Sequence, residues 1–137
     1  MGLVEHPTNS ISEGVLGAAI EVHRFLGPGL LESSYDACLC HELGLRNIKF
    51  RRQVVLPLEY KGLEVENAYV IDLLVEDALV VETKAVEKLL PVHAAQLLTY
   101  MRLLNISAGL LINFNVVILP HGIRRMLWMG GEPMLRW

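Results

Sequence analysis

A chain of 137 residues, 53% hydrophobic and 20% charged, carries enough apolar surface for a packed core, and its mean hydropathy of +0.39 excludes a disordered tail or an acidic linker. Its 12 basic and 15 acidic groups leave a net charge of −3, which excludes a whole-protein basic footprint for nucleic acid. No apolar run approaches the ~20 residues of a membrane span; the longest, from Ala108 to Pro120, is cut by Asn113 and Asn115. Glu5, His6 and Pro7 stand where a signal peptide needs an apolar stretch, and position 6 lacks the Ser or Thr of a myristoylation pattern. The expectation is one domain over 1–137, cytoplasmic and with no membrane partner.

The predicted elements run as follows. Ser10-Ile-Ser-Glu13 fits a capping box, and Val15, Leu16, Ala19, Ile20 and Val22 recur at helical spacing up to the breaker Gly27-Pro28-Gly29. A second helix runs from about Leu31 to Leu43 and ends at Gly44. Phe50 to Tyr60 reads as a strand, with Pro57 marking an edge or a bulge, and Lys61-Gly62 as a turn. Leu63 to Val75 and Ala78 to Lys84 form a hairpin across Glu76-Asp77. Pro91 to Leu104 is a third helix with proline in its first turn. Ser107 to Ile112 and Val116 to Leu119 complete an ααβββαββ order, a mixed α/β sheet with helices packed on it. The tail, 126–137, holds both tryptophans and three methionines and reads either as a contact segment, for a partner or a homodimer, or as a loosely ordered end.

Cys38 and Cys40 are two apart on a helix, so they neither bridge nor share a metal and read as buried or inert thiols. His23 and His41 read as partly buried helix residues, while His6 and His121 fall in loops. Charge is uneven. Residues 62–100 hold 2 basic and 7 acidic groups, and residues 101–137 hold 4 basic and 1 acidic. A local basic patch could form from Lys49, Arg51 and Arg52 with Arg124 and Arg125.

The hairpin concentrates the chemistry. Asp72 interrupts the apolar strand Tyr69 to Val75, and Glu82 and Lys84 share a face of the next strand. Charge in such strands is costly unless paired or bound to a metal. Two carboxylates about 4 Å apart repel by roughly 4 kcal/mol at an effective dielectric near 20, and a divalent cation or Lys84 offsets that. The competing reading pairs Lys84 with Asp72 or Glu82 on a solvated edge, for ~0–1 kcal/mol. Register decides between them. Val75 facing Ala78 would set Asp72 opposite Val81, whereas a three-residue connection or a bulge sets it opposite Glu82. On the third helix, His93, Gln96 and Tyr100 follow one another a turn apart and could carry an amide and a phenol over the same pocket.

Gly29-Leu-Leu-Glu-Ser-Ser-Tyr35 resembles the signature of the GxxExxY proteins, a compact branch of the PD-(D/E)XK nuclease-like superfamily. The likeness runs from about Ser10 to Arg125 and takes in Ile71 to Val75, Glu82-x-Lys84, Gln96-x-x-x-Tyr100 and Leu111 to Asn115. The spacing of Asp72, Glu82, Lys84, Gln96 and Tyr100 also resembles the RecB-type nuclease pattern. The resemblance implies a restriction-endonuclease-like αβββαβ core with an extra N-terminal helix. It implies Asp72 and Glu82 as metal ligands, the Thr83 carbonyl as a third, and Glu32 as an extra ligand or a base reaching in from the second helix. It implies that Lys84 orients or activates water and that Gln96 and Tyr100 position the phosphate or the lysine. Thr83 stands where an apolar residue is usual, and its side chain is expected to face away. Tyr35 has the ordinary expectation of a core ring with its hydroxyl bonded.

The resulting expectation is a Mg2+- or Mn2+-dependent phosphodiesterase acting on nucleic acid, DNA before RNA, with Arg51, Arg52 and His93 as substrate-binding residues. A nuclease-like fold acting as a binding or assembly module without turnover is the alternative, and an enzyme acting on a smaller phosphate ester is a third.

Overall fold

The computed structural model describes residues 9–130. In chain order it contains α1 (Asn9–Leu26), α2 (Glu32–Leu45), β1 (Phe50–Tyr60), β2 (Leu63–Val75), β3 (Leu79–Lys84), α3 (Pro91–Leu104), β4 (Ala108–Asn113), a 3-10 turn (Leu119–Gly122) and β5 (Ile123–Leu127). The sheet has the order β1-β2-β3-β4-β5, antiparallel throughout except for the parallel β3–β4 pair, which α3 connects. This is the mixed α/β, restriction-endonuclease-like arrangement, with α1 as the added N-terminal helix and β5 as an added edge.

Alternation along the strands builds two cores. Leu73, Val75, Leu79, Val81, Leu110 and Ile112 face α1 and α2, whose Val15, Ala18, Ala19, Tyr35, Leu39 and Leu43 cover them. Ile71, Leu74, Val80 and Leu111 face the other way, toward Leu97, Leu98 and Met101 of α3. Glycine at 109 lets α3 lie close, since a Cβ there would stand 2.7 Å from Met101 Sδ. Among the described residues no helix is long and apolar enough to cross a membrane.

Several expectations are corrected. α1 already includes Asn9 and Ser10, so the Ser10–Glu13 box lies inside the helix; Ile11 packs on the first core and draws the opening turn in. α2 runs through Gly44, and Asn47 at φ 57° supplies the left-handed residue after the helix instead. Cys38 and His41 are exposed because Tyr35, Leu39, Cys40 and Leu43 take the buried face of α2. Val116–Leu119 is not a strand. Phe114 turns into the core against Tyr35, Val117 and Ile118 stay exposed, and the last strand is Ile123–Leu127. Met126 and Trp128, expected in a contact tail, pack against the α3-side core, while Leu127 and Met129 are exposed; 131–137 lies outside the described residues, as does His6. The local basic patch does not form as one surface. β1 and β5 are opposite edges of the sheet, four strand spacings or about 19 Å apart, so Arg51 and Arg52 are remote from Arg124 and Arg125.

Candidate active site

The β2–β3 connection is three residues, Glu76, Asp77 and Ala78, so Val75 pairs with Leu79 and the same register brings Asp72 opposite Glu82. Glu76 and Asp77 both have φ 52°, and the Ala78 N–H donates to the Val75 carbonyl at 3.0 Å, closing a tight turn before the extra residue. The backbone ladder stops at Leu73–Val81. Beyond it the strands are joined by the two acids. The Asp72 N–H donates to Glu82 Oε1 at 3.0 Å, and the Thr83 N–H donates to Asp72 Oδ2 at 3.0 Å. Alternation in β2 also slips here. Ile71 and Leu74 face α3 while Leu73 faces α1 and α2, and Gln53, across from Asp72 on β1, has φ 52°. Asp72 therefore turns toward α2, Glu82 rises from the α3 side, and their carboxyls meet in the gap between the strands.

Electrostatics follow from that meeting. Glu82 is 3% exposed, and its pKa is pushed up to about 9, first by burial and then by the Asp72 charge. Lys84 partly opposes the rise and contacts Gln96 Oε1 from Nζ at 3.4 Å. The Tyr100 hydroxyl, itself bonded to Gln96, is pushed up by burial and by the Glu82 and Asp72 charges. His93 is pushed down by burial and then by Lys84, and its Nδ1 accepts the Leu90 N–H at 2.9 Å, capping α3. These residues thus share one electrostatic neighbourhood.

Glu32 approaches from the opposite side. It is exposed, yet it lines a cavity of about 350 Å³ together with Ser33, Asp36, Arg52, Gln53, Asp72 and Thr83. Its pKa is raised by burial, lowered by Lys84, and raised by Asp72 and Asp36, and the Ala85 N–H bonds its carboxylate. Its position is set by the signature loop. The Tyr35 hydroxyl donates to the Gly27 carbonyl at 2.5 Å and accepts from the Leu30 N–H at 3.2 Å, folding the turn that starts α2. The Tyr35 ring stacks on Phe114 with centroids 4.7 Å apart. The Gly29 N–H (φ 97°) donates to Asn115 Oδ1, while Asn113 grips both the N–H and the carbonyl of Val86. The loop before Glu32 and the loop after Lys84 are thereby fastened to the same end of β4.

Two predicted residues sit differently. Thr83 does not face away, because its hydroxyl donates to Asp72 Oδ2 at 3.2 Å; once the ladder opens, the carboxylate takes both the N–H and the hydroxyl of that residue. Arg51 pairs with Asp77 at 3.0 Å in the hairpin turn, outside the residues lining the cavity, whereas Arg52 lines the cavity. Sequence reasoning missed Asp36. It lies four residues after Glu32, on the same helix face, and that spacing is the signal that could have found it.

The donor set is all oxygen, which suits Mg2+ or Mn2+. Each acid has one oxygen engaged with backbone, and the two side chains also bond each other, with burial and the Asp72 charge pushing Glu82 toward its protonated form. A cation held by the pair would take the place of that proton. Among the described residues no three His, Cys, Asp or Glu side chains are gathered tightly enough to hold an ion, so Glu32 stands beside the pair without closing a cage.

No curated protein matches the chain, and no solved structure does. Residues 9–126, from the first helix through nearly all of the last strand, match the PD-(D/E)XK nuclease superfamily, and the chain belongs to that superfamily.

Proposed function

We propose that the protein is a divalent-metal-dependent phosphodiesterase acting on nucleic acid, a RecB-type nuclease of the GxxExxY branch. The observation that carries this reading is the pair of carboxyls from Asp72 and Glu82 meeting where the β2–β3 ladder opens, with Lys84 alongside. Asp72, Glu82 and the Thr83 carbonyl would hold Mg2+ or Mn2+, with Glu32 at the rim as a further ligand or a base. The ion, when bound, polarises the phosphate and makes bound water more acidic. Lys84 orients the attacking water and stabilises developing charge. Gln96 fixes the lysine through its 3.4 Å contact, and Tyr100 holds Gln96 in turn. Arg52 and His93 flank the site as phosphate contacts. DNA is the first substrate to test, and the exposed edge at Leu127 and Met129 is the proposed surface for a homodimer.

The net charge of −3 favours a second reading, a nuclease-fold assembly module without turnover. A cleavage panel of single- and double-stranded DNA and RNA with Mg2+, Mn2+ or chelator separates the two. The nuclease reading expects cleavage that needs Mg2+ or Mn2+ and is lost in Lys84→Ala. A folded wild-type protein that cleaves nothing supports the module, whereas cleavage that persists in Lys84→Ala removes Lys84 from the proposed chemistry.

A further inference from the structure

We propose that Asp36 is a positioning residue that holds the Arg52 guanidinium at the Asp72 cavity as a docking group for a nucleic-acid phosphate. The inference rests on the nuclease reading and adds to it the group that seats the substrate backbone. Arg52 Nη2 lies 2.6 Å from Asp36 Oδ2, with the Asp36 side chain 8% exposed and that of Arg52 51% exposed. Both line the cavity that also holds Asp72 and Glu32.

The pair is a poor design for stability alone. Asp36 Oδ1 is buried and has no hydrogen-bond partner among the described residues, so the carboxylate is desolvated for one guanidinium contact. A buried polar atom left unpartnered is uncommon enough to need a reason. Orientation of the arginine supplies one. A guanidinium carries five N–H donors in a rigid fork, and using one Nη2 hydrogen on Asp36 leaves the others for a phosphate. The β1 backbone assists, because Gln53 at φ 52° lets Arg52 and Gln53 both line the cavity.

Charge gives the fixed arginine a role. Glu32, Asp36 and Asp72 line the cavity, and Arg52 is the one cation among its described lining residues. A phosphate approaching this face meets three carboxyl groups, which Arg52 offsets from the lining and Lys84 offsets through its charge on Glu32. Arg51 cannot substitute, since it is paired with Asp77 at the turn.

Two accounts of Asp36 predict opposite signs. If Asp36 merely cancels charge, Asp36→Asn makes the cavity more positive by one and tightens DNA binding. If Asp36 aims Arg52, the same change weakens binding although the charge moves in DNA's favour. The experiment is fluorescence-anisotropy titration of a short labelled DNA strand, with Ca2+ as the divalent ion, against folded wild type, Asp36→Asn, Arg52→Gln and the double variant. We expect Asp36→Asn to weaken binding about three- to tenfold, the scale of one misaligned charge-assisted contact. Arg52→Gln should weaken it at least as much and reduce the salt slope by about one. The double variant should be no weaker than Arg52→Gln. Arg52→Lys, which keeps the charge and loses the fork, should also weaken binding and serves if Asp36→Asn does not fold. Equal or tighter binding by Asp36→Asn, a further loss in the Arg52→Gln background, or undiminished binding by Arg52→Lys overturns the positioning role while the nuclease reading stands. A wild-type protein that binds no DNA overturns both.

Discussion

Replacing Glu82 with glutamine in the metal-free protein should stabilise it, by an amount that depends on pH. The carboxyl is 3% exposed and has its pKa raised from 4.5 to about 9, so at pH 7 it keeps its proton in the folded state and loses it on unfolding. The folded state therefore binds one more proton than the unfolded state between these values. Stability is fully present below about 4.5 and falls as pH rises through about 9. From 4.5 to 7 is about 2.5 units at about 1.4 kcal/mol each, or about 3 kcal/mol lost by pH 7. Glutamine copies the protonated acid. Its Oε1 can accept the Asp72 N–H as Glu82 does at 3.0 Å, and its amide can donate to the Asp72 carboxylate where Glu82 presents its proton. Glu82→Gln should thus be about equal to wild type near pH 4.5 and up to about 3 kcal/mol more stable at pH 7. The assay is urea unfolding of both proteins from pH 5 to 9 in chelator. Parallel curves across that range would mean that Glu82 carries no burial penalty and that the prediction fails.

Other substitutions probe neighbouring parts of the site. Lys84→Met should abolish turnover while changing unfolding midpoints little, since the described contact of its ammonium is the 3.4 Å one to Gln96; a cleavage assay beside a denaturation curve checks both. Tyr35→Phe removes a hydroxyl that serves Gly27 and Leu30, and should cost about 1–3 kcal/mol in urea unfolding and reduce kcat as Glu32 shifts. Gly122→Ala would press a Cβ into the backbone carbonyl of Asn113, the residue that grips Val86, and should cost at least the ~1–3 kcal/mol of an overpacked core, read as a lowered Tm.

Much of the architecture is legible because its signals are local. Pro91 at the start of α3, the bulge beside Pro57 between Leu56 and Leu58, and the strand limits Phe50–Tyr60 and Leu63–Val75 agree with the spacing of apolar and turn residues. That a three-residue connection sets Asp72 opposite Glu82 is readable from the spacing, but the connection itself is not. Glu76 and Asp77 adopt positive φ without glycine, so composition did not announce the turn that makes the connection three residues long. β5 was hidden because Ile123-Arg-Arg-Met-Leu127 is a short edge strand with two exposed arginines and no clean alternation. Its predicted substitute, Val116–Leu119, was apolar for another reason, since Val116 and Leu119 plug the first core around Phe114. Facts that depend on strand order were beyond reach. The remoteness of Arg51 and Arg52 from Arg124 and Arg125 is one, and the docking of Arg52 on Asp36 is another. The Thr83 hydroxyl was misjudged because simple alternation fails where the ladder opens and the Asp72 carboxylate takes over its hydrogen bonds.

Calorimetric titration with Mn2+ and Mg2+ at pH 7 tests whether Asp72 and Glu82 together hold a divalent cation. Wild type should bind, and because Glu82 begins protonated, binding should release protons and show a heat that changes with the ionisation enthalpy of the buffer. Asp72→Ala should not bind. An absence of measurable binding by folded wild type, or equal affinity in Asp72→Ala, would mean that the pair is not a metal site.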